Sequence, residues 1–221
     1  MVIDWLTLIW PGNSSARGAM NAQLSTLTPP ARLAIAYALP DLRAPLALLL
    51  AFDDRIADVI ARSSEPIFAQ MKIAWWYDAI AKPTALRPAG EPLLAQLAQL
   101  ENTGYADRLT AAIQAVLDAW SILAAAEDWA PQTLENFAEA RSNAVFRSYA
   151  DWAGAAGAVD TLGRTWSIND LSLRFGRTFG DRNLSDSYRT PRAFRPLSIL
   201  ALSTRPDVWG PRLIWHALTG R

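Results

Sequence analysis

The sequence predicts an all-α protein, a single-domain helical bundle, on three observations. Proline divides the chain into short segments, and proline is accepted in the first turn of a helix but ends a helix when it comes later. Between the prolines, apolar residues recur three and four positions apart, as on the buried face of an amphipathic helix. We find no alternating apolar and polar segment that would make a strand. The dividing prolines are Pro29, Pro30, Pro40, Pro66, Pro83, Pro92, Pro131, Pro191, Pro196 and Pro206.

Two adjacent helices are predicted over residues 42–62 and 65–81. Between them, Ser63-Ser64-Glu65-Pro66 combines a helix end with an N-cap and a first-turn proline for the next helix. Because this connection is short, we expect the two helices to pack antiparallel.

Further helices are predicted downstream from their apolar stripes, followed by a loop. The stripes are Leu93, Leu94, Leu97 and Leu100, and then Leu109, Ile113, Val116, Leu117, Trp120 and Leu123. A long helix is expected over Phe137–Phe175. Residues 176–192 lack apolar periodicity and are rich in turn formers, which predicts a loop. One interpretation of this segment is a solvated loop. The alternative is a flap that contacts an anion, because the segment is rich in arginine. Its arginines are Arg177, Arg182, Arg189 and Arg192, and Arg174 lies just before it.

The composition excludes several classes of site and partner. The chain has no cysteine and one histidine, which excludes a disulfide framework, a cysteine-based zinc site, a thiol nucleophile and a histidine-rich metal site. Lysine plus arginine number 21, as do aspartate plus glutamate, so a general electrostatic grip on nucleic acid or anionic lipid is not expected. The single histidine, His216, is expected to pack or to lie at a helix end.

The length and apolar content of the chain indicate how many domains it forms and where in the cell the protein is expected. A chain of 221 residues can bury one substantial core, so residues 1–221 are predicted to form one domain. No positively charged leader opens the sequence, and the apolar run Leu46–Phe52 is too short to span a membrane, so a cytoplasmic protein is expected. The ten tryptophans indicate either a large core or an apolar patch that contacts a partner or, peripherally, the inner membrane.

Asp54 and Asp58 are candidate metal ligands. They stand four residues apart on the helix predicted over 42–62, so both carboxylates lie on one face. Magnesium prefers oxygen ligands and commonly uses one or two carboxylates together with substrate phosphates. The alternative is a solvated or salt-linked pair, for which Arg55 and Arg62 are available as partners.

Residues 51–80 resemble the signature helix pair of the squalene/phytoene synthase family. Phe52 takes the place of the aromatic residue that precedes the family's first Asp-rich motif, and Asp53 and Asp54 fall on its Cys-Arg step. Only Asp58 remains of the motif itself. The following segment MKIAWWYDAI carries the family's tryptophan pattern in Trp75 and Trp76, and has Tyr77 where an arginine is usual.

The second Asp-rich motif of that family is missing. Leu162-Gly163-Arg164 resembles the Leu-Gly entry to this motif, and counting on from it places Asp170 at the asparagine position and Arg174 at the first aspartate. Residues 171–180 contain no acidic residue. The end of the chain, RLIWHALTGR, is similar to a divergent bacterial branch of the family, related to the mitochondrial members that act in complex I assembly.

The resemblance implies the isoprenoid synthase fold and two alternative functions. One is a catalytically degenerate protein that acts as a binding or assembly module for an apolar or prenyl ligand or for a protein. The other is an active, Mg²⁺-dependent prenyl transferase that condenses farnesyl or geranylgeranyl diphosphates in isoprenoid biosynthesis. A helical bundle of unrelated function is a third interpretation, because a fold does not fix a function. Nucleic acid is not an expected partner, and the oligomeric state stays open.

The candidate site residues fall into three groups under this resemblance. The substrate or metal candidates are Asp53, Asp54 and Asp58. The diphosphate-contact candidates are Arg55, Arg174 and Arg177. The cavity-lining candidates are Phe52, Trp75, Trp76 and Tyr77.

Overall fold

The structure is a computed structural model that describes residues 25–101, 103–155, 157, 159–179, 191–208 and 210–220. Within these residues all regular structure is helical and none is strand, so the predicted all-α fold is confirmed. The α-helices in chain order are α1 (Pro29–Tyr37), α2 (Arg43–Arg62), α3 (Pro66–Ala81), α4 (Pro92–Leu100), α5 (Ala106–Ala125), α6 (Pro131–Ser142), α7 (Ser148–Trp152), α8 (Asp160–Phe175), α9 (Arg195–Ser203) and α10 (Gly210–Thr219). Short 3₁₀ turns cover Pro40–Leu42, Thr84–Leu86 and Arg192–Phe194, and a π-helical segment covers Asn143–Arg147.

Proline starts the helices, as its position in the sequence predicts. It occupies the first turn of α1, α3, α4, α6 and α9, where its missing N–H costs no hydrogen bond. The N-cap Thr28 accepts a hydrogen bond from the backbone N–H of Ala31, and Glu91 caps α4 through the N–H of Leu93. At the other end of α8, Gly176 adopts a left-handed conformation with φ of 61° and closes the helix.

Helix α2 runs through the centre of the core. Leu46, Leu49, Phe52 and Ile56 are fully buried along it, and α1, α3, α4 and α5 pack around it. Helices α6 and α8 pack on each other, with α5 against α6 and α9 against α8. The buried apolar residues of all these helices form one continuous cluster. This arrangement brings α2, α5, α6 and α8 together around a shared interior.

The predicted pair over 42–62 and 65–81 corresponds to α2 and α3, within one residue at each boundary. The predicted continuous helix Phe137–Phe175 is wrong. The chain leaves the helix after Trp152 and starts α8 at Asp160, because Gly154 turns with φ of 61°. Gly157 in this break lies against the ring of Phe194, where a Cβ atom would come within 2.6 Å.

The predicted loop at 176–192 is described only at its ends. Residues 177–179 are not helical, Arg192 already begins a 3₁₀ turn, and 180–190 lie outside the described residues. The arginines Arg182 and Arg189 of the predicted flap fall in that range. Within the described part of the chain, no helix is long and apolar enough to cross a membrane.

Helices α6 and α8 approach closely at Gly163. A Cβ atom added there would lie 2.1 Å from Oγ of Ser142, the last residue of α6, and 3.0 Å from the ring carbon Cγ of Phe146 in the π-helical segment that follows. Only glycine fits this crossing without a shift of the neighbouring helix.

We expect Gly163→Ala to lower the free energy of unfolding by about 1–3 kcal/mol, because overpacking forces the two helices apart. Urea unfolding followed by circular dichroism measures this. Gly104→Ala is the matched control, since nothing lies within 4 Å of the added Cβ atom there. Equal stability of the two variants would contradict the close crossing.

Candidate functional site

An aspartate lies buried in the middle of α2. Asp53 is 1% exposed, among residues that are otherwise apolar. A buried carboxylate is tolerated when it is paired and its oxygens accept hydrogen bonds. Asp53 accepts from Trp120 Nε1 of α5 at 2.8 Å and from two nitrogens of Arg141 of α6 at 2.9 and 2.5 Å. The carboxylate of α2 is therefore neutralised by the two helices packed beside it.

Arg141 is the centre of this cluster. Its guanidinium is fully buried and donates to Asp53, to Asp170 Oδ2 at 2.7 Å and to the carbonyl oxygen of Ser167 at 3.4 Å. The guanidinium carbon lies 3.9 Å from the centre of the Trp166 ring, an arrangement that favours a cation. Burial acts to lower the pKa of Arg141, but the carboxylates of Asp53 and Asp170 outweigh it and raise that pKa above its usual value. Arg141 therefore stays charged.

A second arginine extends the cluster toward the surface. Asp170 and Arg174 are four residues apart on α8, and Arg174 Nε donates to Asp170 Oδ2 at 2.7 Å. The other arm of the guanidinium crosses to α2, where Nη1 donates to Asp54 Oδ1 at 2.6 Å. We call the five residues Asp53, Asp54, Arg141, Asp170 and Arg174 the ion-pair network. It joins three carboxylates to two guanidinium groups and ties α2, α6 and α8 together.

The two outer carboxylates of the network differ in their electrostatics. Burial acts to raise the pKa of Asp170, but Arg141 and Arg174 outweigh it, and the pKa lies below the usual carboxyl range. Burial also raises the pKa of Asp54, where Arg174 opposes it only in part, and the pKa lies above that range. Of these two, Asp54 is the carboxylate that the network holds less well in its ionised form.

Two spaces adjoin the network. A cavity of about 40 Å³ lies beside Asp53, Asp54, Asp170 and Arg174. It has room for about one water molecule and is far below the roughly 300 Å³ of a small-molecule pocket. A wider, solvent-open pocket of about 580 Å³ lies on the other side of Asp54, and its charged lining residues are Asp54, Arg55, Asp58, Arg62 and Lys72.

The structure separates the three predicted substrate or metal candidates. Asp54 and Asp58 line the same pocket, as their spacing predicts, but both are paired, Asp54 with Arg174 and Asp58 with Arg62 at 2.9 Å. Asp53 points away from them into the core. Among the described residues, no group of three or more His, Cys, Asp or Glu side chains could hold a metal ion.

The diphosphate-contact candidates also lie in different places. Arg55 lines the solvent-open pocket of about 580 Å³, and its Nη2 atom lies 3.5 Å from Oε1 of Glu91. Arg174 belongs to the ion-pair network. Arg177 lies over the ring of Phe179, 5.1 Å from its centre, beside a separate pocket of about 420 Å³.

The aromatic candidates link α2, α3 and α5. Phe52 and Trp76 are buried and meet edge to face, with ring centres 5.3 Å apart. Trp75 is 43% exposed and packs edge-on against Trp76. Tyr77 donates a hydrogen bond to the carboxylate of Asp118 on α5, and burial together with this bond raises the pKa of its phenol. These contacts are those of side chains that hold helices together.

Sequence reasoning missed Arg141 and Trp120 as partners of Asp53. The sequence contains a local indication that Arg141 is buried, because Arg141 continues the apolar stripe of Leu134, Phe137 and Ala138 on α6. A cation on one apolar stripe and an acid on another indicate a buried pair. Their separation of 88 residues in the chain leaves no local pattern to match them.

We expect Arg141→Met to lower the free energy of unfolding by about 3–5 kcal/mol, because it leaves the Asp53 carboxylate buried without a countercharge. Urea denaturation measures the change. Arg147→Met is the matched control, since Arg147 pairs with Asp160 where both side chains are about half exposed. That variant should change the free energy by less than about 1 kcal/mol. The double variant Asp53→Leu/Arg141→Met should recover stability relative to Arg141→Met; further loss would contradict an unpaired charge as the cause.

Asp170→Asn and Asp54→Asn should respond differently to pH. Because the pKa of Asp170 is lowered in the folded state, its ionised form stabilises the fold above the ordinary carboxyl pKa of about 3.9, and this contribution is lost as the pH falls through the lowered value. Asp170→Asn should therefore destabilise the protein at neutral pH, with a deficit that narrows in acid. The pKa of Asp54 is raised, so Asp54→Asn should not lower the stability at neutral pH.

Urea unfolding of both variants and of the unsubstituted protein, at a series of pH values from about 7 to about 3, measures these differences. A deficit for Asp170→Asn that does not depend on pH would contradict the assignment. A larger loss for Asp54→Asn than for Asp170→Asn at neutral pH would also contradict it.

Comparisons with known proteins return no match. No family model, no curated protein and no solved structure matches the chain. The resemblance to the squalene/phytoene synthase family, which rests on residues 51–80, on 162–164 and on the segment RLIWHALTGR, stays a prediction.

Proposed function

We propose that this protein is a catalytically degenerate relative of the squalene/phytoene synthases that acts as a binding or assembly module. One observation carries the proposal: the Arg174 guanidinium lies between Asp54 of α2 and Asp170 of α8 and bonds to both. An enzyme of that family needs opposed carboxylates on two helices to hold magnesium against a diphosphate. Here a side-chain cation already bridges the two helices.

The residues present do not fit a magnesium ion between these helices. Magnesium requires several oxygen ligands in near-octahedral geometry at about 2.1 Å. The Oδ2 atom of Asp170 already accepts hydrogen bonds from both Arg141 and Arg174 at 2.7 Å. Burial acts to lower the pKa of Arg174, but the surrounding carboxylates outweigh burial and raise this pKa. The guanidinium therefore stays protonated, and its positive charge repels a metal ion. The space between α2 and α8 is therefore occupied by a side-chain cation where a metal ion would lie.

The small volume of the cavity beside the ion-pair network also supports a binding or assembly module that has no catalytic activity. The cavity of about 40 Å³ beside Arg174 cannot admit a prenyl chain, since ligand pockets typically exceed roughly 300 Å³. Phe52 and Trp76, the aromatic residues at the resembling positions, pack against each other in the core. A partner of this protein would then meet its outer surface or the solvent-open pocket.

A second candidate function is the active prenyl transferase, and one observation favours it. The solvent-open pocket of about 580 Å³ is lined by two carboxylates of α2, Asp54 and Asp58. Three cations, Arg55, Arg62 and Lys72, lie around the same pocket and could contact a diphosphate. In this candidate Mg²⁺ would be bound from one helix only, with arginine and lysine in place of the second motif.

Diphosphate release separates the two functions. The purified protein is incubated with geranyl, farnesyl or geranylgeranyl diphosphate, with and without Mg²⁺, beside an active synthase as positive control. We expect no magnesium-dependent release, because Arg174 occupies the place between the opposed carboxylates. Magnesium-dependent release that is abolished by Asp54→Asn/Asp58→Asn, in a variant that stays folded by circular dichroism, would overturn the proposal and establish the second candidate.

A further inference from the structure

Helix α10 carries two apolar stripes on two different faces. The buried stripe is Leu213, His216, Ala217 and, just after the helix, Gly220. The exposed stripe is Pro211, Ile214, Trp215 and Leu218. Both stripes have the spacing of three and four that marks one face of a helix. In the exposed stripe Ile214 is 52% exposed, Trp215 63% and Leu218 59%, so the stripe is open to solvent over the length of the helix.

The buried stripe fixes α10 on α9, so the orientation of the other stripe is set. His216 Nε2 lies 2.8 Å from the hydroxyl oxygen of Ser198 on α9. Arg195, at the start of α9, donates to the carbonyl oxygens of Ala217 and Leu218 at 3.4 and 3.2 Å. A cation at these last carbonyls stabilises the C-terminal end of a helix. Because α10 is held on α9 in this way, the exposed stripe lies on the side of α10 that faces away from α9.

The charge around the exposed stripe is positive. Residues 208–221 contain no aspartate or glutamate, while Arg212 is exposed beside the stripe and Arg221 follows the helix in the sequence. Asp207, just before this segment, is paired with Arg205 at 2.6 Å. An apolar stripe with tryptophan and arginine beside it is typical of helices that lie at the surface of an anionic membrane.

We propose that the exposed stripe of α10 docks on an anionic membrane surface, with the helix lying in the plane of the interface. A helix of 10 residues is about 15 Å long, half of the roughly 30 Å that the hydrocarbon core requires. Ile214 and Leu218 enter the acyl boundary, Trp215 lies at the headgroup level, and Arg212 contacts lipid phosphate. The proposal is independent of whether the protein has catalytic activity.

Helix α3 has an exposed apolar face as well, but its charges do not favour lipid. That face consists of Ile67, Phe68, Met71 and Trp75. The same helix and its two caps carry both signs of charge in equal number: Glu65 and Asp78 against Lys72 and Lys82. Since anionic lipid attracts cations and repels acids, charge complementarity points to α10.

Co-sedimentation with vesicles tests the proposal. The full chain is mixed with vesicles of phosphatidylcholine alone and of phosphatidylcholine with phosphatidylglycerol. We expect binding to the anionic vesicles and about 100-fold weaker partitioning for Ile214→Ser/Trp215→Ser/Leu218→Ser, from the loss of three buried apolar side chains. Arg212→Gln should weaken binding to the anionic vesicles about fivefold and leave binding to the neutral ones unchanged.

The matched control is Ile67→Ser/Phe68→Ser/Met71→Ser on α3, which should bind the vesicles as the unsubstituted protein does. All substituted side chains are exposed, and circular dichroism checks that each variant is folded. No binding of the unsubstituted protein to either vesicle would overturn the proposal. So would loss of binding in the α3 variant alone, or a dimer of the unsubstituted protein that the α10 variant converts to a monomer without any vesicle binding.

Discussion

The neutralisation of Asp53 is the constraint on which the arrangement of the other helices depends. A carboxylate in the middle of the most buried helix is stable only if a cation and further donors reach it at the same level. Helix α6 supplies Arg141, α5 supplies Trp120, and α8 supplies Asp170 to balance the guanidinium. A shift of any of these helices by one residue would leave a buried charge without its partner. The network, together with Trp120, thus fixes how α2, α5, α6 and α8 are positioned along one another.

The same network determines what chemistry the interior can support. Its three carboxylates are each bonded to a guanidinium, so the acidic groups that α2 and α8 turn toward each other are already paired with side-chain cations. Arg174 keeps its charge because the surrounding carboxylates raise its pKa, so a cation remains between α2 and α8. These charged groups of the interior therefore hold the helices together, which supports the proposal that a partner meets the outer surface.

The sequence predicts those parts of the fold that depend on local pattern. The stripes of α4 and α5 and the junction between α2 and α3 follow from spacing and from Pro66. The break before α8 was missed, since it depends on Gly154 and on a contact of Gly157 with the distant Phe194. The spacing of Asp54 and Asp58 predicts their shared face, but not that Arg174 would cross from another helix to Asp54, because that ion pair joins residues 120 positions apart.

The ion-pair network and the exposed stripe of α10 are connected through the packing of the helices between them. Helix α9 lies against α8, which carries two members of the ion-pair network, and α10 lies against α9. A helix that is ordered before it meets its partner loses little conformational entropy on association, so more of the free energy of burying its exposed stripe is retained as affinity. A disordered amphipathic segment would have to fold at the interface and lose part of that energy. In the proposed docking of α10, the buried charges therefore act indirectly, because they hold in place the helices on which the exposed stripe of α10 is presented.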